Sequence, residues 1–251
     1  MIKITKIQIP ELPTEKPRRL YVFLPKGYER SGKRYPVLYM FDGHNLFYDS
    51  HATYGRSWRM KEYLKKSGLE WIVVGIECNH EDFERLSEYS PWDFHYSKVG
   101  SIIGKGEVTM DWIVNTLKPR IDRDYRTLTG REDTMIAGSS MGGLMSVYAV
   151  VKYNSVFSMA ASLSPTLFLN PAKMTELIKT HKLEEPTRVY IDYGSEEKEE
   201  HPFPWEKMFL TAKQLSSAGA YVEARIVPGA RHSEEYWEKR IPVFFDYLLG
   251  K

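Results

Sequence analysis

The chain has a single cysteine, Cys78, which excludes an intrachain disulfide and any multi-cysteine metal centre. It ends an apolar run over 71–78 and reads as a small core residue. No apolar run approaches the ~20 residues that span a bilayer, so a soluble protein is expected, with the cytoplasm as the default. Residues 1–7 alternate apolar with polar, as a strand does, and lack the uninterrupted apolar stretch of a secretory signal. A field of one sign is missing too. Lys and Arg number 35 against 33 Asp and Glu, for a net charge of +2. Nucleic acid is therefore a poor partner. No Gly-x-Gly-x-x-Gly follows the first strand, and the glycine-containing stretch 100–106 carries no P-loop Lys-Ser or Lys-Thr pair, which argues against nucleotide binding. His44 and His51 stand near Asp42 and Asp49, but their spacing is not that of metal ligands. Neither a cofactor nor a metal is expected.

What is present is core material. Hydrophobic residues make up 42% of 251 residues and aromatics 14%, enough for a sizeable core. With no repeat and no low-complexity linker, one domain over 1–251 is expected. Residues 20–25, 36–41, 71–77, 133–138, 157–163, 188–194 and 220–227 read as strands. Residues 57–67, 108–117, 142–153, 204–218 and 234–249 read as helices. The segment 79–106 reads as a long loop, a length usually reserved for function. Strands alternating with helices predict an α/β fold, a mostly parallel central sheet with helices on both faces. Sites in such sheets lie beyond the carboxyl ends of strands.

Beyond one of these ends stands Gly138-Ser139-Ser140-Met141-Gly142-Gly143, a Gly-x-Ser-x-Gly with a strand before it and a helix after it. That is the context of a nucleophile elbow, in which Ser140 is presented at a helix N-terminus. A serine hydroxyl needs a positioned base. Of seven histidines, His232 follows the last strand and precedes the last helix, where a base can overhang the elbow. His181 and His201 lack such a position and read as surface residues. The acid should follow the strand ending at Gly194. Glu197 in the turn is the first choice, ahead of Glu196 and of Asp192 within the strand. Glu199 and Glu200 read as part of a solvated charged run. An oxyanion would rest on the N–H groups of Met141 and of His44, which follows Gly43 in the loop after an early strand. Trp58, Trp92 and Trp205, with Tyr54, Phe47, Phe203 and Asn45, fall in segments expected near the mouth of the site, where aromatic walls would suit an aryl acyl group or a sugar face.

Four stretches, Tyr39-Met40-Phe41-Asp42-Gly43-His44-Asn45-Leu46-Phe47, Arg85-Leu86-Ser87-Glu88-Tyr89-Ser90-Pro91-Trp92, Leu117-Lys118-Pro119-Arg120-Ile121-Asp122 with Tyr125-Arg126-Thr127, and the elbow, together resemble the esterase D family of α/β hydrolases. The likeness runs from about Leu20 to the end. It implies an α/β-hydrolase fold and a serine triad, with Ser140 as nucleophile, His232 as base and the N–H groups of His44 and Met141 as oxyanion hole. Relatives often carry aspartate in a Gly-Thr-x-Asp turn, where this chain has Gly194-Ser195-Glu196-Glu197. The family includes feruloyl and acetyl-xylan esterases, S-formylglutathione hydrolases, trilactone siderophore esterases and mycolyltransferases. The expected activity is hydrolysis of a small-molecule carboxylic ester through an acyl-enzyme, on aryl-acyl or sugar-linked esters. Short-chain acyl esters, siderophore trilactones and acyl transfer to a sugar are the alternatives. A catalytically dead binding module is the opposing reading, and the intact serine, histidine and oxyanion glycine argue against it.

Overall fold

The computed structural model describes residues 1–12, 14–199 and 204–250. Eight strands form one sheet: β1 (Ile2–Ile7), β2 (Arg18–Phe23), β3 (Val37–Phe41), β4 (Ile72–Ile76), β7 (Thr134–Ser139), β8 (Met159–Leu163), β9 (Arg188–Gly194) and β10 (Tyr221–Val227). A short hairpin, β5 (Phe94–Tyr96) with β6 (Gly100–Ile102), stands apart from it. The order in the sheet is β1-β2-β4-β3-β7-β8-β9-β10. β2 pairs antiparallel with β1 and β4, and every pairing from β4 to β10 is parallel. This is the expected α/β architecture.

The sheet has two apolar faces because side chains alternate across it. In β3, Val37, Tyr39 and Phe41 join one core while Leu38 and Met40 join the other. The helices are α1 (Met60–Ser67), α2 (Glu84–Glu88), α3 (Gly106–Trp112), α4 (Lys118–Asp124), α5 (Met141–Lys152), α6 (Pro171–Thr180), α7 (Pro204–Ser217), α8 (Glu234–Glu238) and α9 (Ile241–Leu248). Residues of α3 to α7 fill the first core, and residues of α1, α8 and α9 fill the second. No helix among the described residues is long and apolar enough to cross a membrane.

Several elements differ from expectation. The segment 79–106 is not one loop but holds α2 and the β5–β6 hairpin. The helix expected over 57–67 starts at Met60, because the Asp49 carboxylate accepts from the Ser57 N–H and hydroxyl at 2.9 and 2.7 Å and keeps that residue in the preceding loop. The helical run does not stop at Leu117. It continues through a wide π-type turn, Ile113–Leu117, into α4. The wider turn accommodates the ring and missing N–H of Pro119. The last helix breaks into α8 and α9 at Lys239 and Arg240, where Pro242 opens a new first turn. Helix α6, begun by Pro171, has no counterpart among the expected helices.

Candidate active site

Ser140 joins β7 to α5 with φ 58° and ψ −122°, a conformation that costs a non-glycine residue roughly 1–3 kcal/mol. The surroundings hold it there. Its N–H donates to the Leu163 carbonyl at 2.9 Å, and its own carbonyl accepts from the Leu144 N–H at 3.1 Å. A Cβ on Gly138 would lie 2.7 Å from the Gly142 backbone, and one on Gly142 would lie 2.9 Å from Phe41 Cβ. Only glycines let strand, turn and helix cross this tightly. The buried body of α5 anchors the turn from behind. Met141 is the first residue of that helix, so its N–H has no partner one turn back and meets the positive end of the helix dipole.

The three acid candidates go to three environments. Glu197 is fully buried, and its Oε2 lies 2.9 Å from His232 Nδ1. Its Oε1 accepts from the Ser164 hydroxyl and the Gly194 N–H, both at 2.7 Å. Burial favours the neutral carboxyl, but His232 and these donors outweigh it and hold Glu197 below the usual carboxylate range. Asp192 faces the interior instead, where it accepts from Arg240 at 2.8 Å and from the Tyr190 hydroxyl at 2.7 Å. Glu196 is exposed. Sequence reasoning missed the supports of this corner. Arg240 also reaches Ser164 Oγ at 3.1 Å and Glu197 Oε1 at 3.5 Å. Trp237 donates to Ser164 Oγ at 3.0 Å and sets its ring edge-on to His232, centroids 5.0 Å apart. The polar atoms of these buried groups carry no pattern readable in sequence, since Arg240 and Trp237 sit on what reads as an ordinary amphipathic helix.

Across the cavity lies the turn after β3. Asp42 takes a left-handed backbone, φ 55° and ψ 47°, and its carboxylate is gripped by Arg85 through two hydrogen bonds of 2.8 and 2.7 Å. Burial opposes the charge of Asp42, yet the Arg85 cation and its hydrogen bonds outweigh it and hold the carboxyl below its ordinary range. The Tyr89 hydroxyl accepts from the Asp42 N–H at 3.2 Å. Arg85 and Tyr89 belong to a stretch that the family resemblance singles out, but nothing in the sequence alone assigned them this task. A Cβ on Gly43 would lie 2.3 Å from the Gly75 backbone, so this glycine lets the turn sit on β4. The His44 imidazole is buried, with Nε2 3.0 Å from the Thr53 hydroxyl. Burial pushes its pKa down to about 4, so the ring is neutral.

Ser140, His232, His44, Asn45, Asp42 and Arg85 line one cavity of about 350 Å³. Thr53, Asn79, His80, Asp82 and Glu234 add further polar groups to its wall. Asn45 donates to Glu234 at 3.4 Å and accepts from the Thr53 N–H at 2.9 Å. Burial raises the Glu234 carboxyl above its ordinary value. The expected aromatic wall is reduced to Tyr54 and Trp237 among the described residues. Trp58 is not at the mouth. It is buried against Trp237, ring centroids 5.7 Å apart. Trp92 packs edge-on against Tyr148, Trp205 packs on the first core, and Phe47 is buried in the second. A large apolar ring gains more by filling a core than by facing water, which sequence position near a site does not reveal. Phe203, His201 and Glu200 lie outside the described residues. His51 is occupied elsewhere, with Nδ1 3.1 Å from the Tyr21 hydroxyl.

This architecture and its relatives define an esterase of the α/β-hydrolase fold. A sequence profile of the family described as Putative esterase matches residues 13–247, and the chain belongs to that family. It is 27% identical over 247 residues to uncharacterized protein YbbA of Bacillus subtilis strain 168, covering 93% of each chain. It is 25% identical over 231 residues to the endo-1,4-beta-xylanase/feruloyl esterase of Xylanibacter ruminicola, covering 90% of this chain and 28% of that protein. Among solved structures, the IroE-like serine hydrolase of Shewanella oneidensis superposes with a TM-score of 0.74 at 19% identity, covering 99% of this chain and 78% of that one. The enterobactin esterase FES of Shigella flexneri superposes with a TM-score of 0.75 at 16% identity, covering 100% and 59%. At these identities the structural matches speak to the fold.

Proposed function

We propose that this esterase is a serine hydrolase, one α/β-hydrolase domain in which Ser140, His232 and Glu197 form the triad. The observation that carries the reading is the buried Glu197 carboxylate, 2.9 Å from His232 Nδ1, on a histidine that shares its cavity with the strained Ser140. The Glu197 contact fixes Nδ1 as the protonated nitrogen and leaves Nε2 to act as base. The Ser140 hydroxyl attacks the ester carbonyl carbon while its proton passes to Nε2. The carbonyl π pair moves onto oxygen, and the N–H groups of Met141 and His44 donate to that oxyanion. On collapse the carbon–oxygen bond to the alcohol breaks, and imidazolium returns the proton to the leaving alkoxide. Water then repeats the sequence on the acyl-enzyme and releases the acid. Glu197 stays ionised throughout and stabilises the imidazolium.

The substrate reading is an aryl-acyl or sugar-linked ester. The polar wall of Asn45, Thr53, Asn79 and Asp82 supports an alcohol rich in hydroxyls, and Tyr54, 81% exposed, offers a ring face at the rim. The feruloyl esterase among the relatives points the same way. Rates across acetyl, butyryl, feruloyl and S-formylglutathione esters test this part, with a feruloyl or sugar-linked ester expected to lead. A lead by S-formylglutathione or by the short acyl esters would reject it. For the mechanism, Ser140→Ala should lower p-nitrophenyl acetate turnover by at least about 10⁴-fold. Turnover at the wild-type rate would refute the triad.

A further inference from the structure

In the wall of the cavity, the donor atoms of His44, Cys78 and His80 all lie within 4.8 Å of one another. Both histidines have one ring nitrogen engaged by oxygen. His44 Nε2 is 3.0 Å from the Thr53 hydroxyl, and His80 Nε2 is 3.1 Å from the Glu77 carboxylate. Glu77 is itself fixed by Arg19, at 3.0 Å from Nε and 2.5 Å from a terminal nitrogen. An oxygen partner on one ring nitrogen, leaving the other for the ion, is the support that metal-binding imidazoles generally have. His44 Nδ1 is buried and has no hydrogen-bond partner, although the residue is only 2% exposed. A buried polar atom left bare is costly, and a ligand explains it.

We propose that His44, Cys78 and His80 form a binding site for a divalent ion of borderline softness, with Zn²⁺ the best match, beside the ester-binding cavity. One thiolate and two imidazoles are a zinc donor set, and the open fourth position would face the cavity lined by these three residues and Ser140. Tetrahedral bonds of about 2.0–2.3 Å put donors about 3.5 Å apart, so a set lying within 4.8 Å has at most about 1.3 Å to close. His80 is exposed and can make that movement. Binding breaks the Cys78 S–H bond, forms the sulfur–metal bond and releases the proton to solvent. The bound ion occupies space that the substrate needs and lies against the turn that presents the His44 N–H. Zn²⁺ therefore inhibits hydrolysis, a consequence that rests on the serine-esterase reading, whereas the site itself does not.

Titration of the chelator-stripped full chain with Co²⁺, followed by absorption, tests the site directly. The expected result is a thiolate-to-cobalt charge-transfer band that saturates at a single ion per chain and is displaced by Zn²⁺. It should vanish in Cys78→Ser. Since loss of a supporting residue alone costs about 10–100-fold in affinity, removing the exposed ligand itself in His80→Ala should weaken binding by at least about 100-fold. In parallel, Zn²⁺ should inhibit p-nitrophenyl acetate hydrolysis, with recovery on EDTA, and should inhibit His80→Ala at far higher concentration only. No charge-transfer band, or a band and affinity unchanged in His80→Ala, would overturn the site. A normal band with no inhibition would overturn the inhibitory role alone.

Discussion

Two carboxylate–arginine pairs flank the site, one buried and one partly exposed, and they are built differently. On the acid side, Arg240 and Asp192 meet at 2.8 Å, both side chains at most 2% exposed, and Ser164, Trp237, Glu197 and Tyr190 close the network around them. On the oxyanion side, Arg85 and Asp42 meet at 2.7 Å, but the arginine side chain is 30% exposed and both line the cavity. The first pair lies beneath the site and fixes an orientation. The second lies in its wall, beside a histidine nitrogen that no protein group satisfies. In the proposed mechanism the acid has one task and gains from a dry, closed surround, whereas a turn that would admit a substrate oxygen cannot be closed.

The largest effect that separates the two sides is chemical. Glu197→Gln keeps the shape but removes the charge that sets the His232 tautomer, so kcat should fall by about 10³–10⁴-fold, with Glu196→Gln near wild type. Equal losses would place the acid elsewhere. Next in size is stability on the closed side. Arg240→Met leaves Asp192 buried without its cation, and denaturant unfolding should show a loss of about 3–5 kcal/mol. A near-neutral result would mean that the network is not the anchor of this corner.

The open side is distinguished by pH. The folded pKa of His44 is pushed to about 4, below the ordinary 6.5, by burial first of all. In the window between these values the unfolded chain binds the proton and the folded one does not. The stability this histidine contributes is thus whole above pH 6.5 and is lost as pH falls towards about 4. Glu234, raised by burial, works in the opposite sense, contributing stability at low pH that fades as pH rises. Comparing wild type with His44→Gln cancels that contribution. The wild type should lose about 3 kcal/mol more than the variant between about pH 7 and about pH 4, read by urea unfolding. Parallel pH curves would mean that His44 is not desolvated.

The eight strands of the central sheet were legible in sequence, and so was the placement of Ser140 and His232 beyond strand ends, because strand period, glycine spacing and chain order are local signals. The position of Glu197 in the turn after β9 was legible too, but its burial and its 2.9 Å contact with His232 were not. The supports were not. Arg85, Tyr89, Ser164, Trp237 and Arg240 act across the chain, and contacts between distant residues leave no spacing to read. The tryptophans erred in the other direction, since Trp58 and Trp92 lie near the site in sequence yet serve packing. Pro119 lies just past the helix expected over 108–117 but is absorbed by a wide turn, and Pro242, inside the helix expected over 234–249, starts a new one.

The proposed mechanism requires that one particular hydroxyl, that of Ser140, become acylated or phosphonylated. Reaction with a fluorophosphonate, followed by peptide mass spectrometry, should give a single adduct on Ser140, absent in Ser140→Ala and formed far more slowly in Glu197→Gln. An adduct on another residue, or an unlabelled Ser140 in protein that still hydrolyses esters, would contradict it.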